Sequence, residues 1–305
     1  MIHHFSKFIP IFIVAIATIA FSNLDVASAH ADANTSQAIT LSPASTEVSI
    51  DPGSTATKSV DVINSGQDSF NVAITSLPYY VLGENYDPHF TQLPGTVDAS
   101  KWVKLSQTSA TVDGYKVLTV PYTIEVPRDT APGGYYAVVF AETSTDGAKT
   151  GVVSHNRVGN ILYITVNGAI KTGSSLTGDP IPLISLGGSI PIAIKVSNSG
   201  GTHFITKATY SVTSFKGDTV FSASTERYVL PQTEREIASS WSPQSLFGIF
   251  TVHRSATIDG VLKTLPDEKI VIINPWIIVA GTFLIGILIG VPFTRARLRR
   301  RSKEK

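Results

Sequence analysis

Between residues 38 and 273, apolar side chains recur at every second position in short runs broken by Gly, Pro, Asn and Asp. That period belongs to a strand with one face turned toward a core. It predicts strands at Thr46–Ile50, Lys58–Ile63, Phe70–Leu77, Val117–Val126, Tyr135–Glu142 and Arg157–Val166. A second series follows at Ile190–Val196, His203–Thr213, Arg227–Leu230, Arg235–Trp241, Phe247–Ile258 and Ile270–Ile273. No amphipathic helical period interrupts them. Many short strands at this spacing predict an all-β body of two tandem immunoglobulin-like β-sandwich domains.

The two ends of the chain have a different pattern. Residues Phe8–Phe21 form an apolar run behind Lys7, and Ala27-Ser28-Ala29 supplies the small residues of a signal-peptidase site. This predicts a signal peptide over 1–29, with Ala29-His30-Ala31 as the alternative cut, and a linker over 30–37. Near the other end, no charge occurs between Lys269 and Arg295. As a helix rising ~1.5 Å per residue, Pro275–Phe293 would span ~28 Å, close to the ~30 Å hydrocarbon core of a bilayer. Pro275 suits a first helical turn, and Trp276 suits the membrane interface. One C-terminal transmembrane helix is therefore expected over 274–294. The tail 295–305 carries Arg295, Arg297, Arg299, Arg300 and Arg301, and such basic flanks stay cytoplasmic. Both ends imply a single-pass protein of the cell membrane with its body outside. Gly286 and Gly290 form a GxxxG, which is either a helix-dimer face or the ordinary glycine content of membrane helices.

An internal repeat organises the body. Val62-Ile63-Asn64-Ser65-Gly66 leads to Phe70, and Val196-Ser197-Asn198-Ser199-Gly200 leads to Phe204. Asn-Ser-Gly is turn chemistry, expected here because Asn and Gly tolerate positive φ. Each half then has a tryptophan (Trp102, Trp241), a proline loop (Pro127, Pro243), and a glycine opening an aromatic strand (Gly134-Tyr135-Tyr136, Gly248-Ile249-Phe250). Two related domains, 38–168 and 169–273, explain this pattern, with the boundary near Gly168 where the chain turns polar and Gly-rich. Trp102 and Tyr135 are expected in the core, the tyrosine at a corner of the sandwich.

The segments SIDPGSTATKSVDVINSG, ASKWVKLS, VPRDTAPGGYYAVVFAE and RVGNILYITVNG resemble the immunoglobulin-like domains of bacterial envelope proteins. They are most similar to the peptidoglycan-binding first domain of WxL-interacting proteins. The resemblance covers about 130 residues; the second domain is similar in layout only. It implies a signal peptide, two β-sandwiches, one membrane helix and a basic tail. It also implies a partner among cell-wall peptidoglycan, WxL surface proteins and host ligands.

Composition narrows the chemistry. The chain has no cysteine, which excludes disulfides, thiolate metal sites and cysteine nucleophiles. The net charge of +1 conceals a tail of +6, residues 1–29 of zero and a body of −5, so nucleic-acid binding by a basic face is not expected. The histidines fall in no metal-ligand spacing, and GxSxG, phosphate-loop and EF-hand patterns are absent. Acidic residues such as Asp51, Asp113 and Asp259 stand singly beside turns, where Asp bonds to nearby backbone.

These absences predict a non-enzymatic, membrane-anchored surface protein that binds cell-wall glycan or another surface protein. The alternative is a passive spacer or assembly subunit of the envelope. A hydrolase would need a site built from distant loops. The one aromatic surface candidate is Leu77–Phe90, where Tyr79, Tyr80, Tyr86 and Phe90 accompany Glu84, Asn85 and Asp87. Rings with amide and carboxylate neighbours suit sugar or peptide binding. The alternative role for the rings is to cap the open end of the first sandwich. The Glu142–Asn156 connection is expected to be an exposed hairpin tip.

Overall fold

A computed structural model describes residues 39–144, 156–245, 247–277, 279–285 and 288. Eleven strands precede residue 167: β1 (Ile39–Ser42), β2 (Ser45–Ile50), β3 (Thr55–Asn64), β4 (Phe70–Pro78), β5 (Tyr80–Leu82), β6 (Asp87–His89), β7 (Val103–Leu105), β8 (Ser109–Val112), β9 (Val117–Glu125), β10 (Gly133–Ser144) and β11 (Arg157–Val166). They form a sheet β1-β3-β9-β7 facing a sheet β2-β11-β10-β4-β8, with β5 and β6 as a separate hairpin. Alternate residues of both sheets, among them Val60, Val62, Val120, Tyr122, Ile74, Val139, Leu162 and Ile164, make one buried core.

The second sandwich repeats the plan with β12 (Ser174–Thr177), β13 (Ile184–Ser185), β14 (Ile190–Asn198), β15 (Phe204–Ser214), β16 (Thr219–Val229), β17 (Thr233–Trp241), β18 (Phe247–Ile258), β19 (Val261–Thr264) and β20 (Glu268–Ile273). Sheet β12-β14-β17 packs on sheet β13-β20-β18-β15-β16, to which β19 adds. In both halves the opening strand is split between the sheets. β1 and β12 pair antiparallel with β3 and β14, whereas β2 and β13 run parallel to the last strands β11 and β20. This is an immunoglobulin-like arrangement of two face-packed sheets.

The repeated asparagines work differently from the sequence expectation. Asn64 and Asn198 are buried, and neither they nor Gly66 and Gly200 have positive φ. Each asparagine instead uses its side chain as an internal bracket. Asn64 Nδ2 donates to the carbonyls of Asp68, Val112 and Asp113, and its Oδ1 accepts from Gly66 N at 2.9 Å. Asn198 Nδ2 donates to Thr202 O and Val229 O, and its Oδ1 accepts from Gly200 N at 2.8 Å. A buried turn needs partners for these backbone groups, and the amide supplies both a donor and an acceptor.

Trp102 is buried on a 3₁₀ turn (Ala99–Trp102) rather than on a strand. Tyr135 packs against it with ring centroids 4.8 Å apart, and its hydroxyl donates to Ala131 O at 2.8 Å, closing the corner. Trp241 packs on Phe250 in the second core. There Arg254, almost fully buried, donates to Asp179 O and Ala193 O and pairs with Glu268 at 3.0 Å.

β16 is far longer than the expected Arg227–Leu230. Its first half, TVFSAST, places small hydroxyl side chains outward on an edge strand, so it lacks the apolar alternation that marks a half-buried strand. Beyond β20, Asn274 caps a helix. Its Oδ1 accepts from Trp276 N at 3.0 Å, Pro275 follows at the first helical position, and residues 275–277 and 279–285 are helical. Among the described residues no helix is long and apolar enough to cross a membrane. The expected span 274–294 is only partly described. The signal segment, linker, GxxxG, basic tail and most of the Glu142–Asn156 connection lie outside the described residues.

Asn198→Ala strands Thr202 O, Val229 O and Gly200 N together. It is expected to cost about 2–3 kcal/mol, at the upper end for buried groups left unpaired, read as a fall in chemical-denaturation midpoint. Ser199→Ala, one residue along the same turn, is expected to change it little.

Candidate functional site

The Leu77–Phe90 segment leaves β4, forms the β5–β6 hairpin and folds toward the second sandwich. Tyr79 stacks on Phe90 with centroids 6.2 Å apart, and Phe90 meets Phe140 edge-on at 4.8 Å. Glu84 pairs with Lys195 at 3.0 Å, and its carbonyl accepts from Glu236 N. Tyr86 is buried among the residues of the second core. Its hydroxyl accepts from Leu230 N at 2.9 Å and bonds to Thr233 Oγ1, while the Arg235 guanidinium lies 4.2 Å from its ring centroid. Tyr86 takes φ 60°, a left-handed conformation costing a tyrosine about 1–2 kcal/mol, which the anchored ring offsets. Tyr80 stacks on His89 at 5.0 Å on the outer side of the hairpin, where Asn85 and Asp87 are exposed. The structure thus divides the expected cluster. Tyr86 and Glu84 hold the second sandwich, Tyr79 and Phe90 are half-buried against each other, Tyr80 is half-buried against His89, and Asn85 and Asp87 are exposed.

Residues that sequence reasoning did not single out complete the joint. Tyr163 stacks on Tyr228 at 4.1 Å, with His203 tilted 5.0 Å from Tyr163. The Tyr136 hydroxyl accepts from His203 N at 3.0 Å and lies 3.2 Å from His203 Nδ1. Tyr228 donates to Glu47 of β2 at 2.5 Å. Beside them the backbones touch: Gly134 N donates to Gly201 O at 2.8 Å. A Cβ on Gly134 would stand 2.2 Å from the Tyr136 hydroxyl and 3.1 Å from Thr202 Cα, so only glycine permits this approach. The available signal was parity: Tyr136 and Tyr163 are large aromatics on the faces of β10 and β11 that turn away from the first core.

Burial governs the electrostatics of the joint. It pushes the hydroxyls of Tyr136, Tyr163 and Tyr86 above the usual phenol range, and burial with the Glu47 bond raises Tyr228 to about 12. Burial lowers His203 below the ordinary imidazole value, against the weaker opposing fields of Glu47 and Asp259. The tyrosines are therefore neutral hydrogen-bonding groups at physiological pH, and His203 is a neutral imidazole.

Next to His203 a cleft of about 370 Å³ opens beside the connection between β11 and β12, lined by Lys171, Ser174, Asn198, Asp259 and Lys263 among others. Lys263 Nζ is engaged by Ser174 O at 2.6 Å and Ser174 Oγ at 2.9 Å. The cleft is at the small end of the range for ligand pockets. Elsewhere on the second sandwich, Thr213 Oγ1, His253 and Asp267 form a chain, with 3.0 Å at Nε2 and 2.8 Å at Nδ1. Such a chain can relay a proton, but Asp267 is 60% exposed and water competes for its groups. Among the described residues no three His, Asp or Glu side chains are grouped to hold a metal.

No family model matches the chain, and no curated protein matches it in sequence. Solved structures resemble it in architecture. The class 5 fimbriae chaperone CfaA aligns at 10% identity over 77% of this chain and 99% of its own, with a TM-score of 0.40. The E. coli chaperone DraB aligns at 12% over 76% and 98%, with 0.37. A PapD-like domain of human CEP192 aligns at 18% over 43% and 86%, with 0.31.

The lowered His203 value has a definite sign in stability. The unfolded imidazole takes a proton near pH ~6.5, before the buried one does, so stability is whole above that pH and is lost as pH falls through the folded-state value. His203→Gln keeps a hydrogen-bonding side chain without the titration. The thermal midpoint of the native chain is expected to fall more steeply than that of His203→Gln between pH 6.5 and pH 5.

Proposed function

We propose that this chain is a non-enzymatic envelope protein whose two sandwiches act as one stiff unit, a spacer or assembly subunit held at the membrane by its C-terminal segment. The observation that carries this reading is the burial of Tyr86 in the core of the second sandwich. A flexible tandem would leave the Leu77–Phe90 rings to solvent or to a ligand. Here Tyr79 and Tyr86 are spent on the joint, together with the Glu84–Lys195 pair and the Tyr163–Tyr228 stack. Inter-domain surfaces move by default unless the contact is large and apolar, and this one is rich in rings. The membrane tether rests on the uncharged run from Ile270 to Thr294, the basic tail and the N-terminal signal pattern.

Stiffness is directly measurable because the chain has no cysteine. Spin labels on Ser59→Cys and Ser224→Cys, one on each sandwich and both at exposed positions, are expected to give a single narrow distance distribution. Adding Tyr86→Ala, a loss of about 3 kcal/mol of aromatic burial at the joint, is expected to broaden it. A broad distribution in the parent pair would overturn the stiff-spacer reading.

A second reading is supported by the outward side of the same hairpin. The Tyr80–His89 stack with exposed Asn85 and Asp87 offers a ring face and polar tips to a wall glycan or a surface protein, as the resemblance to WxL-interacting proteins implies. Purified cell-wall sacculi separate the two. As a spacer, the chain in detergent is expected to stay in the supernatant. Retention by sacculi that is lost on Tyr80→Ala would instead favour glycan binding at this hairpin.

A further inference from the structure

One pole of the second sandwich gathers the β15–β16 hairpin, the start of β18 and the exit of β20 to the helix. Ser214 pairs with Phe250, and Phe247 pairs with Ile273, the last residue of β20. The β15–β16 hairpin that carries Phe215, the start of β18 and the end of β20 therefore share this pole. β13 joins them in parallel, Ser185 beside Ile272, which brings Leu186 to the same level. A Cβ on Gly187 would lie 3.9 Å from Pro275 of the helix.

This pole exposes large apolar side chains. Phe215 is 75% exposed, Phe247 62% and Leu186 59%. On the outer face of the sheet, Ile249 and Ile184 flank Val271 and extend the strip inward. The strip then stops. The next rung is Thr251 beside Lys269, and beyond it stand His253 and Asp267. At ~3.4 Å per residue the apolar band from Phe247 to Ile249 is about 7 Å deep, within the ~5–10 Å to which interfacial elements enter a bilayer. Two lysines mark its margin: Lys216, whose ammonium lies 5.7 Å from the Phe215 ring centroid, and Lys269. Long basic side chains of this kind cover apolar surface while their heads reach phosphate. The described part of the helix does not cover the band, since Trp276 and Phe283 are themselves 73% and 70% exposed.

We propose that this pole is a lipid-docking surface: the Phe215, Leu186 and Phe247 rim dips into the headgroup region, and Lys216 and Lys269 meet anionic headgroups. The occupant is a bilayer because the band surrounds the point where the chain enters its uncharged run, which ends only at Arg295. The inference rests on the membrane tether proposed above. It adds that the sandwich lies against the bilayer and does not stand off on a free stalk.

The test uses the full chain in vesicles of three parts phosphatidylcholine and one part phosphatidylglycerol, with single spin labels at Phe215→Cys, Phe247→Cys, Trp276→Cys and, as an aqueous reference, Ser59→Cys. The first three positions are exposed, so the labels displace no core packing, and an unchanged thermal midpoint verifies the fold. Docking predicts that labels at 215, 247 and 276 all collide with a water-soluble nickel complex about fivefold less than the label at 59, as for interfacial residues. Shielding at 276 with full access at 215 and 247 would overturn docking and leave the tether standing. Access at all three would overturn both. Shielding at 215 with dipolar broadening between like labels would assign the rim to a second copy of the chain and overturn the lipid assignment.

Discussion

Side chains from the first sandwich close the core of the second, Tyr86 beside Val81 and Tyr163. Tyr86 supplies its ring to that core, satisfies the Leu230 amide, engages Thr233 and accepts the face of Arg235. Without it, the β16–β17 corner would carry an open amide and a cavity, and Arg235 would lose the surface that accompanies its burial. The contact between Gly134 and Gly201, the tyrosine stack and the Glu84–Lys195 pair all lie within reach of the geometry that Tyr86 imposes. The second half of the molecule is therefore completed by the first, and the orientation of the two follows from side-chain packing, with no crosslink to enforce it.

The two halves show which features of an immunoglobulin-like sandwich tolerate sequence change. The asparagine bracket and the split opening strand recur in both, because each solves a backbone problem that no apolar residue can solve. The tryptophans recur too, but on different elements, a 3₁₀ turn in one half and β17 in the other. Filling a core requires volume and shape, which several positions can supply.

The strands with one clean apolar face, such as β3, β9, β14 and β15, were legible in the sequence, since burial on one side imposes period 2 directly. β16 was not, because an edge strand with Ser and Thr outward carries half the pattern. The short strands β7, β8, β12 and β13 hold too few residues to show a period. The aromatic segment at Leu77–Phe90 was recognisable as unusual, yet its partner was not, because Tyr86 and Leu230 meet across 144 residues of sequence and nothing local records that contact. The asparagine repeat was legible as a repeat, while its physics was not: a turn motif read as backbone freedom proved to be side-chain bonding.

The split opening strand also sets an order of events during biogenesis. A chain that emerges N-terminus first has β13 available long before β20, yet β13 can join its sheet only through β20. The Ile181 amide likewise waits for Glu268, 87 residues later. Contacts of such sequence separation make folding slow and leave edges open meanwhile. The second sandwich stays unfinished until the residues just before Asn274 have cleared, so its closure reports that the whole body has arrived.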